Sequence, residues 1–326
     1  MFKKILVTGG AGFIGSNFVQ YYVKKYPETK ITVVDALTYA GNKANLQPVS
    51  DQIDFVHADV TDEAAMDKVV EGKDCIVHFA AETHVDRSIL NPGPFLRTNV
   101  LGTETLARLA LKHNIQRFHH ISTDEVFGAL PLGTERFNEK TPYNPRSPYS
   151  ASKAASDHII RSYGETFGLA YTITNCSNNY GPYQFPEKII PLFIARAMEN
   201  KKLPIYGDGK YVRDYLYVED HARAIDVILE KGKNGETYCV GGGAEKNILE
   251  IAEVVLQNFG KPQDFVEFVQ DRPGHDRRYA IDASKIHDEL GWSPQVAFES
   301  GIQKTIQWYK DHEAWWRPLQ EKAKLS

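Results

Sequence analysis

The sequence predicts an α/β fold, in which a doubly wound parallel sheet is followed by a smaller C-terminal α/β lobe that binds a substrate. Short β-branched runs alternate with longer amphipathic segments in the first half, which is typical of βαβ units. Beyond residue 178 this alternation gives way to turns rich in proline and glycine. We expect a main domain over residues 1–179, to which a segment at about 211–241 returns, and a lobe formed mainly by residues 180–326.

The elements of the main domain follow from the alternating runs. Strands are predicted at Lys4–Val7, Ile31–Val34, Ile53–His57, Cys75–Phe79, Arg117–Ile121 and Tyr171–Asn175, and Thr237–Val240 is expected to return to the same sheet. Crossover helices are predicted at Phe13–Lys25, Glu63–Val70, Pro94–His113 and Pro148–Phe167.

Composition limits the class of protein. With 326 residues, of which 42% are hydrophobic and 25% charged, the chain has a globular profile. Its 38 basic and 42 acidic residues give a net charge of −4, which disfavours a nucleic-acid partner. No apolar run approaches the roughly 20 residues of a membrane span, and the first apolar run is too short for a secretory signal. We expect a cytoplasmic protein without a membrane partner.

The three cysteines, Cys75, Cys176 and Cys239, are far apart and match no disulfide or metal-ligand spacing. Each lies in or beside an apolar run, where free thiols are usually buried. We expect reduced, inert thiols and no metal site.

A glycine-rich turn follows the first strand and opens the first helix, with residues 8–16 reading TGGAGFIGS. Gly9 allows the tight turn, Gly12 lets backbone amides approach a pyrophosphate, and Gly15 permits close packing of helix on sheet. The helix N-terminus adds partial positive charge for the phosphates. This pattern predicts a Rossmann-like dinucleotide site, and a glycine turn that binds nothing is the alternative.

Two acidic positions refine that site. Asp35 ends the second strand, where its carboxylate would accept hydrogen bonds from a ribose and repel a 2′-phosphate, so NAD is favoured over NADP. Asp59 and Val60 follow the third strand. They are placed to contact an adenine, although an aspartate there can equally cap the next helix.

A tyrosine and a lysine begin the helix predicted at Pro148–Phe167. Tyr149 and Lys153, spaced i and i+4, share one helix face. An ammonium and a positive nicotinamide beside a phenol lower its pKa from about 10. The pair therefore predicts a base that takes a proton from a sugar hydroxyl while hydride leaves the same carbon. A chance match in an ordinary helix is the alternative.

Asp124 and Glu125 follow the fifth strand, at the carboxyl edge where open α/β sheets bind ligands. If both face a substrate, repulsion and burial separate their pKa values into one acid and one base. A solvated acidic turn is the alternative.

Together these residues resemble the extended short-chain dehydrogenase/reductases that act on nucleotide sugars, and within them the 4,6-dehydratase branch. The resemblance spans nearly the whole chain. Besides the glycine turn and Tyr149-Ser-Ala-Ser-Lys153, it rests on five motifs: His78-Phe-Ala-Ala-Glu-Thr-His-Val-Asp-Arg-Ser88, Ser122-Thr-Asp-Glu-Val-Phe-Gly128, Asn175-Cys-Ser-Asn-Asn-Tyr-Gly-Pro182, Arg213-Asp-Tyr-Leu-Tyr-Val-Glu-Asp220 and Arg272-Pro-Gly-His-Asp-Arg277. The Thr-Asp-Glu run separates this branch from the related 4-epimerases.

The resemblance implies oxidation, elimination and reduction on one hexose. Tyr149 would deprotonate the C4 hydroxyl with Lys153 as its partner, and Thr123 would bond that hydroxyl. Glu125 would then remove the C5 proton while Asp124 protonates the departing C6 hydroxyl. Return of the hydride to C6 regenerates NAD, which is expected to be tightly held.

The resemblance also implies the partners. The implied substrate is dTDP-glucose, and the product feeds dTDP-rhamnose or another deoxysugar. The implied assembly is a homodimer that pairs the Tyr149 helix and the Pro94–His113 helix in a four-helix bundle.

Binding residues follow from the glycine turn and the resemblance. The cofactor residues are Gly9, Gly12, Phe13, Ile14, Gly15, Asp35, Thr38, Asp59, Val60, Phe79, Ala80, Ala81, Thr98, Tyr149, Lys153 and Asn179. The substrate residues are Thr83, Thr123, Asn178, Glu187, Lys188, Ile189, Pro204, Tyr206, Arg213, Asn247, Arg272 and His275. Arg213 and Arg272 suit a diphosphate, although Arg272 can equally be an exposed turn charge, and Tyr206 can equally be packing.

Two departures and three alternatives complete the prediction. Thr83 stands where the family often has serine, a change that keeps the hydroxyl. The C-terminal tail lacks a tyrosine that some members place near the nucleotide. We expect Trp315 and Trp316 of this tail to be packing anchors for the last helix. A UDP-sugar 4,6-dehydratase and a 4-epimerase are alternatives within the fold. A non-catalytic NAD-sensing regulator is the alternative of another class, but it would not need both Tyr149 and Lys153.

Overall fold

Three sheets organise the chain in the computed structural model, which describes residues 2–271 and 274–325. The strands are β1 (Lys4–Thr8), β2 (Lys30–Asp35), β3 (Ile53–His57), β4 (Cys75–His78), β5 (Arg117–Thr123), β6 (Tyr171–Cys176), β7 (Asn178–Tyr180), β8 (Leu203–Tyr206), β9 (Val212–Tyr217), β10 (Thr237–Val240), β11 (Glu245–Asn247) and β12 (Val266–Val269). Seven of them form one sheet in the order β10-β6-β5-β4-β1-β2-β3, and every pair in it is parallel.

Helices cover both faces of that sheet and build the second lobe. They are α1 (Phe13–Lys25), α2 (Glu63–Val70), α3 (Val85–Leu90), α4 (Gly93–Phe95), α5 (Thr103–Lys112), α6 (Pro148–Phe167), α7 (Ile189–Met198), α8 (Val218–Lys231), α9 (Ile248–Asn258), α10 (Ser284–Leu290), α11 (Phe298–Asp311) and α12 (Glu313–Leu325). Shorter 3₁₀ segments lie at Lys43–Val49 and Asp124–Phe127, and a π-helical segment lies at Leu96–Gly102.

The predicted fold class is confirmed. Phe18 of α1 and Ile225 of α8 pack in the apolar core on one face of the sheet, and Leu106 of α5 and Ile160 of α6 pack in the core on the other. Six of the seven strands are buried on both sides, which explains their largely apolar runs, while the edge strand β3 is partly exposed. Thr237–Val240 does return to the main sheet, as β10 beside β6.

One predicted helix needs a correction. The run predicted as a single helix at Pro94–His113 is α4, the π-helical segment and α5 in succession. In the wide turn, the Asn99 side-chain amide donates to the Glu82 carbonyl (3.0 Å) and the Ser152 hydroxyl (2.8 Å). An amphipathic pattern does not record such contacts, and π-helical turns are too rare to be expected from it.

The second lobe has its own apolar core. The strand orders β11-β9-β7 and β12-β8 form two small sheets, and α7, α9 and α11 contribute Phe193, Ile251 and Ile306 to one buried cluster with Trp316. Both tryptophans of the tail are packing residues, since Trp316 is buried and Trp315 packs against Tyr183. The domain boundary at residue 179 stays a prediction. Strand β7, which pairs with β9, runs across that position.

The helices and the cysteines of the structure bear on two further expectations. Within residues 2–271 and 274–325, no helix combines the length and the apolar character needed to cross a membrane. Cys75, Cys176 and Cys239 are all buried and carry no disulfide.

Candidate active site

A cavity of about 300 Å³ opens at the carboxyl edge of the central sheet. Its lining includes the glycine turn, the ends of β2, β4, β5 and β6, and the start of α6. All of the predicted cofactor residues and all five predicted catalytic residues lie in this lining. The sheet therefore brings together side chains that are more than a hundred positions apart in the sequence.

The glycine turn is shaped by backbone contacts. Gly9 has a φ of +69°, and a Cβ on it would lie 2.5 Å from the Ala80 nitrogen. A Cβ on Gly15 would lie 2.4 Å from the Gly9 carbonyl oxygen. Gly12 precedes α1 without a side-chain cap, so the first amides of that helix are left for a ligand. This arrangement fits a pyrophosphate.

Asp35 lies at the end of β2 in the cavity lining. Its two carboxylate oxygens accept hydrogen bonds from the backbone amides of Ala11 (2.9 Å) and Leu37 (2.8 Å). Burial raises the pKa of Asp35. These amides fix the carboxylate at the mouth of the turn, and each oxygen keeps a second lone pair for a ribose hydroxyl.

The structure separates the two interpretations of Asp59. The N-cap of α2 is Asp62, whose side chain accepts from the Ala65 amide. Asp59 instead accepts from the amide and hydroxyl of Thr61, at 2.8 Å each, and lines the cavity with Val60. The capping alternative is wrong, since the cap falls three residues later.

The start of α6 places the tyrosine and the lysine. Ser147 and Ser150 form a capping box and Pro148 occupies the first turn, so the helix begins just before Tyr149. Both Tyr149 and Lys153 are buried. The Lys153 ammonium donates a hydrogen bond to the Ile121 carbonyl at 2.8 Å, which ties the helix to the end of β5.

The pKa of Tyr149 differs from the sequence-based expectation. Burial, and then the charge of Glu125, raise the pKa of Tyr149 well above its usual value, while a hydrogen bond with Thr123 acts to lower it. The protein groups alone therefore do not produce the lowered pKa that the sequence predicted for Tyr149. A phenol desolvated on a helix face stays neutral until a positive charge comes close to it.

Asp124 and Glu125 both line the cavity. Asp124 is only 2% exposed, so the solvated-turn alternative is wrong for Asp124, while Glu125 is half-buried. Burial, and then the charge of Glu125, raise the pKa of Asp124 well above its usual value. Its Oδ1 is 3.4 Å from the Thr123 hydroxyl, and its Oδ2 is buried with no hydrogen-bond partner among the described residues. Burial and the neighbouring carboxyl group thus favour the neutral form of Asp124, and its Oδ2 is available to a ligand.

Two other buried side-chain oxygen atoms near the cavity also lack a hydrogen-bond partner among the described residues. Among the described residues, Asn178 Oδ1 and Gln184 Oε1 are buried without a hydrogen bond, and both residues line the cavity. Buried polar groups are nearly always paired in folded proteins. These atoms, with Asp124 Oδ2, indicate a polar ligand.

The predicted substrate residues fall into two groups. Those that line the cavity are Thr83, Thr123, Asn178, Glu187 and Lys188. Those that lie in the second lobe outside this lining are Ile189, Pro204, Tyr206, Arg213, Asn247 and His275. Arg272 lies outside the described residues.

Contacts of the second group show what their side chains do in the chain itself. The Arg213 guanidinium lies over the Tyr279 ring at 4.2 Å, and its charge reaches Asp124. Asn247 caps α9, and His275 stacks on Tyr211 with the ring centroids 3.7 Å apart. Tyr206 is 36% exposed, so both stacking on a base and packing stay open for it.

Sequence reasoning missed several residues of the lining, including Tyr39 and Glu82. Tyr39 stacks under the Arg87 guanidinium at 3.9 Å and shares a hydrogen bond with Thr83 at 3.2 Å. Burial raises the pKa of Glu82. Glu82 belonged to a motif already singled out, so its position four residues after the end of β4 was the signal available.

The fold and the site together define a class, the extended short-chain dehydrogenase/reductases. Residues 6–305 match the family model described as GDP-mannose 4,6 dehydratase. The dTDP-glucose 4,6-dehydratase of Streptomyces niveus is 50% identical over 322 residues, which cover 97% of this chain and 95% of that protein. The chain belongs to the dTDP-glucose 4,6-dehydratase family, as the sequence motifs predicted.

Solved structures agree with this assignment. The dTDP-glucose 4,6-dehydratase DesIV of Streptomyces venezuelae, solved with NAD and a second ligand, has a TM-score of 0.94 at 47% identity and covers 97% of this chain and 99% of its own. A UDP-glucose 4-epimerase of Thermotoga maritima has a TM-score of 0.88 at 29% identity, with coverage of 94% and 99%. Because both activities use one fold, the site residues must decide between them.

Proposed function

We propose that this chain converts dTDP-glucose to dTDP-4-dehydro-6-deoxy-glucose with NAD as its bound cofactor. The two Streptomyces relatives described above, at 50% and 47% identity, are dTDP-glucose 4,6-dehydratases. The observation that carries the proposal is the pair Asp124 and Glu125, which share one cavity with Tyr149 and Lys153. A 4-epimerase has no use for an acid and a base beside C5 and C6.

The residues at the glycine turn fit NAD. The uncapped amides of α1 would hold the pyrophosphate, and Asp35 would bind the adenosine ribose. Asp59 and Val60 would contact the adenine. When bound, NAD supplies the acceptor for the C4 hydride and returns that hydride to C6.

Oxidation at C4 depends on Tyr149, Lys153 and Thr123. As a phenolate, Tyr149 takes the proton of the C4 hydroxyl, and the Lys153 ammonium stabilises that phenolate. Thr123 bonds the same hydroxyl and orients it. The resulting C4 ketone acidifies the neighbouring C5–H bond.

Elimination of water depends on the acid pair. The Glu125 carboxylate takes the C5 proton, and Asp124 gives its proton to the departing C6 hydroxyl, which leaves as water. Glu125 then returns the proton to C5 as C6 is reduced. The proton held by Tyr149 and the one lost by Asp124 exchange through solvent, so atoms and charge balance.

Substrate binding divides between the two groups of predicted residues. Those in the cavity lining would hold the hexose, where Lys188 already donates to the Thr83 carbonyl at 3.4 Å. The second-lobe residues would hold the nucleotide, with Arg213 and Arg272 on the diphosphate. Tyr206, exposed on β8, would stack on the base.

The test is to incubate the purified protein with dTDP-[4-²H]glucose without added cofactor. The proposal expects a 4-keto product with the deuterium at C6, read by NMR. Deuterium retained at C4 of a galactose product would instead establish epimerisation. A protein that binds NAD but leaves the sugar unchanged would be the non-catalytic regulator.

The homodimer is also a proposal. Three leucines of the segment from α3 to the π-helical turn, Leu90, Leu96 and Leu101, are 86%, 53% and 58% exposed. Exposed apolar patches mark interaction surfaces. This patch adjoins the elements that the family resemblance pairs, so a second copy of the chain is its proposed occupant.

Two finer points complete the proposal. The three unpaired thiols suit a reducing compartment, and we propose a cytoplasmic location on that ground. The 4-keto-6-deoxy product is a branch point for deoxysugars, and dTDP-rhamnose is the proposed use.

A further inference from the structure

A third polar residue lies on the face of α6 that carries Tyr149 and Lys153. Asp157 follows Lys153 by four positions, as Lys153 follows Tyr149, so the three side chains lie one above another. Asp157 is 0% exposed. It stands behind the residues that line the cavity. A carboxylate buried so deeply is retained only where donors and a counter-charge surround it.

The Asp157 carboxylate accepts hydrogen bonds from three separate parts of the chain, namely β5, β6 and the segment before α6. Its Oδ2 accepts from the Ser122 hydroxyl (2.8 Å), the Tyr143 hydroxyl (2.8 Å) and the Asn175 amide (3.3 Å). His120 Nε2 lies 3.1 Å from its Oδ1. Burial acts to raise the pKa of Asp157, but the contacts with His120 and the charge of Lys153 hold it below its usual value. Asp157 is therefore ionised at neutral pH.

The same cluster holds three successive residues at the end of β5. Lys153 donates to the Ile121 carbonyl at 2.8 Å, and the Ser122 hydroxyl donates to Asp157. Asn175, while it donates to Asp157, also donates to the Thr123 carbonyl at 3.1 Å. Thr123 is the last of these three residues, and Asp124 and Glu125 follow it immediately. The cluster therefore fixes the end of β5 from which Thr123 and the acid pair enter the cavity.

Asp157 also acts on the charge of Lys153. Burial lowers the pKa of Lys153 to about 8, while the charge of Asp157 acts to raise it. The titratable groups that face Asp157 or Lys153 include His78 on β4, His120 on β5, Cys176 on β6, Tyr143 before α6, and Arg161 on α6. Burial lowers the pKa of His120 to about 4, so His120 is neutral. An uncharged residue at position 157 would therefore leave Lys153 without its carboxylate counter-charge.

We propose that Asp157 is a positioning residue of the dehydration, which supplies the counter-charge of Lys153 and fixes the end of β5 that presents Thr123 and the acid pair. Its catalytic consequence rests on the proposed function. The charge of Lys153, however, can be measured without turnover.

The first test is an NMR titration of protein labelled with ¹³C at lysine Cε. The Lys153 signal is assigned by its loss in Lys153→Met. In the wild type it is expected to titrate near pH 8, and in Asp157→Asn at least about one unit lower, because the amide has the shape but not the charge. The matched control Tyr143→Phe removes one donor and keeps the charge, so its midpoint should stay within about 0.3 unit. An unchanged midpoint in Asp157→Asn overturns the proposal.

The second test separates positioning from substrate binding. Asp157→Asn should lower kcat by about tenfold or more and leave KM for the sugar nucleotide within about twofold, and Asp157→Glu should recover part of kcat. If Asp157→Asn does not fold, Ser122→Ala breaks one contact of the cluster and is expected to lower kcat at unchanged KM. Wild-type kcat in the variant that folds overturns the positioning role. If the wild type makes no 4-keto sugar, the proposed function fails, while the titration still decides the charge of Lys153.

Discussion

Asp124 shows how the surroundings of one side chain decide its chemistry. Asp124 and Glu125 are neighbours in the sequence and line the same cavity. Asp124 is 2% exposed and lies beside a second carboxyl group, and both effects favour its neutral form. A neutral carboxyl group can give a proton to a leaving hydroxyl, whereas an ionised one cannot.

Asp124→Asn should therefore separate the two halves of the proposed reaction. The amide keeps the shape and cannot donate the proton, so formation of the 4-keto-6-deoxy product should fall by about 10²- to 10³-fold. Oxidation at C4 relies on Tyr149, so single-turnover absorbance should still show reduced nicotinamide. Asp51→Asn, on an exposed turn, is the control. Loss of the absorbance burst together with the product would place Asp124 in the first step instead.

Buried histidines give the protein an acid-sensitive stability. His221 is 0% exposed, and burial lowers its pKa to about 3. Its Nδ1 lies 2.9 Å from Asn179 Oδ1, at the edge of the cavity. The unfolded chain binds a proton here near pH 6.5. The contribution is therefore complete above that pH and is lost as the pH falls towards the folded value.

His221→Asn should remove this acid sensitivity while keeping a donor for Asn179. Between pH 7 and 5.5 the wild type should lose about 1 kcal/mol more free energy of unfolding than the variant. Urea unfolding at the two pH values measures the difference. Parallel losses in both proteins would contradict a neutral buried imidazole at this position.

At the scale of elements, the first βα turn illustrates why spacing alone is a strong signal. Its glycines are required by backbone contacts, because a Cβ on Gly15 would meet the carbonyl of Gly9 at 2.4 Å. The contact lies within the turn, so no side chain can move to relieve it. The three-glycine pattern is therefore a direct record of the turn geometry.

Gly15→Ala should displace the turn and lower the NAD content of the purified protein by about tenfold or more. The control is Gly133→Ala, where an added Cβ meets nothing within 4 Å. Cofactor content measured by absorbance after denaturation decides the result. Equal NAD content in both variants would show that the turn does not hold the pyrophosphate.

The capping box of α6 sets where the catalytic helix begins. Ser147→Ala removes the side chain that accepts from the Ser150 amide at 3.1 Å, and should cost about 1 kcal/mol of unfolding free energy. Ser162→Ala, exposed within the same helix, should be neutral, since alanine favours helices. Thermal and urea unfolding of the two variants compare the effects. A Ser147 variant as stable as the Ser162 variant would refute a capping contribution.

At the scale of the whole molecule, two lobes with separate apolar cores meet at one functional edge. The main domain supplies most of the cavity lining, while most predicted substrate residues belong to the second lobe. Leu90, the most exposed of the three leucines of the proposed dimer patch, lies on α3, seven residues after the cavity-lining Thr83. The proposed assembly and the proposed substrate binding would therefore involve neighbouring parts of the chain.

Leu101→Glu should give a monomer, because a charge buried in an apolar interface lacks a partner. The control is Leu132→Glu, since Leu132 is 59% exposed but lies outside the patch. Sedimentation velocity of both variants and the wild type measures the assembly. A wild type that sediments as a monomer, or a Leu101 variant that stays dimeric, would remove this patch as the dimer surface.

Local patterns predicted most strands and crossover helices of the main domain, whereas the elements after β6, apart from β10, were not predicted. Phe13–Lys25, Glu63–Val70 and Pro148–Phe167 were predicted to the residue, because periodicity, caps and breakers all act within a few positions. The glycine turn and the Tyr149–Lys153 pair could be recognised in the sequence because each pattern also lies within a few positions. Family resemblance extended this to roles that spacing does not reveal.

Contacts between distant segments decided the rest. The π-helical turn at Leu96–Gly102 depends on what Asn99 meets, and the pKa of Tyr149 depends on the burial that packing imposes on it. Asp157 received no role from the sequence, since its donors come from β5, β6 and the segment before α6. A pattern in one segment carries the interactions made within that segment, whereas electrostatics in a buried site sum over every segment that packs around it.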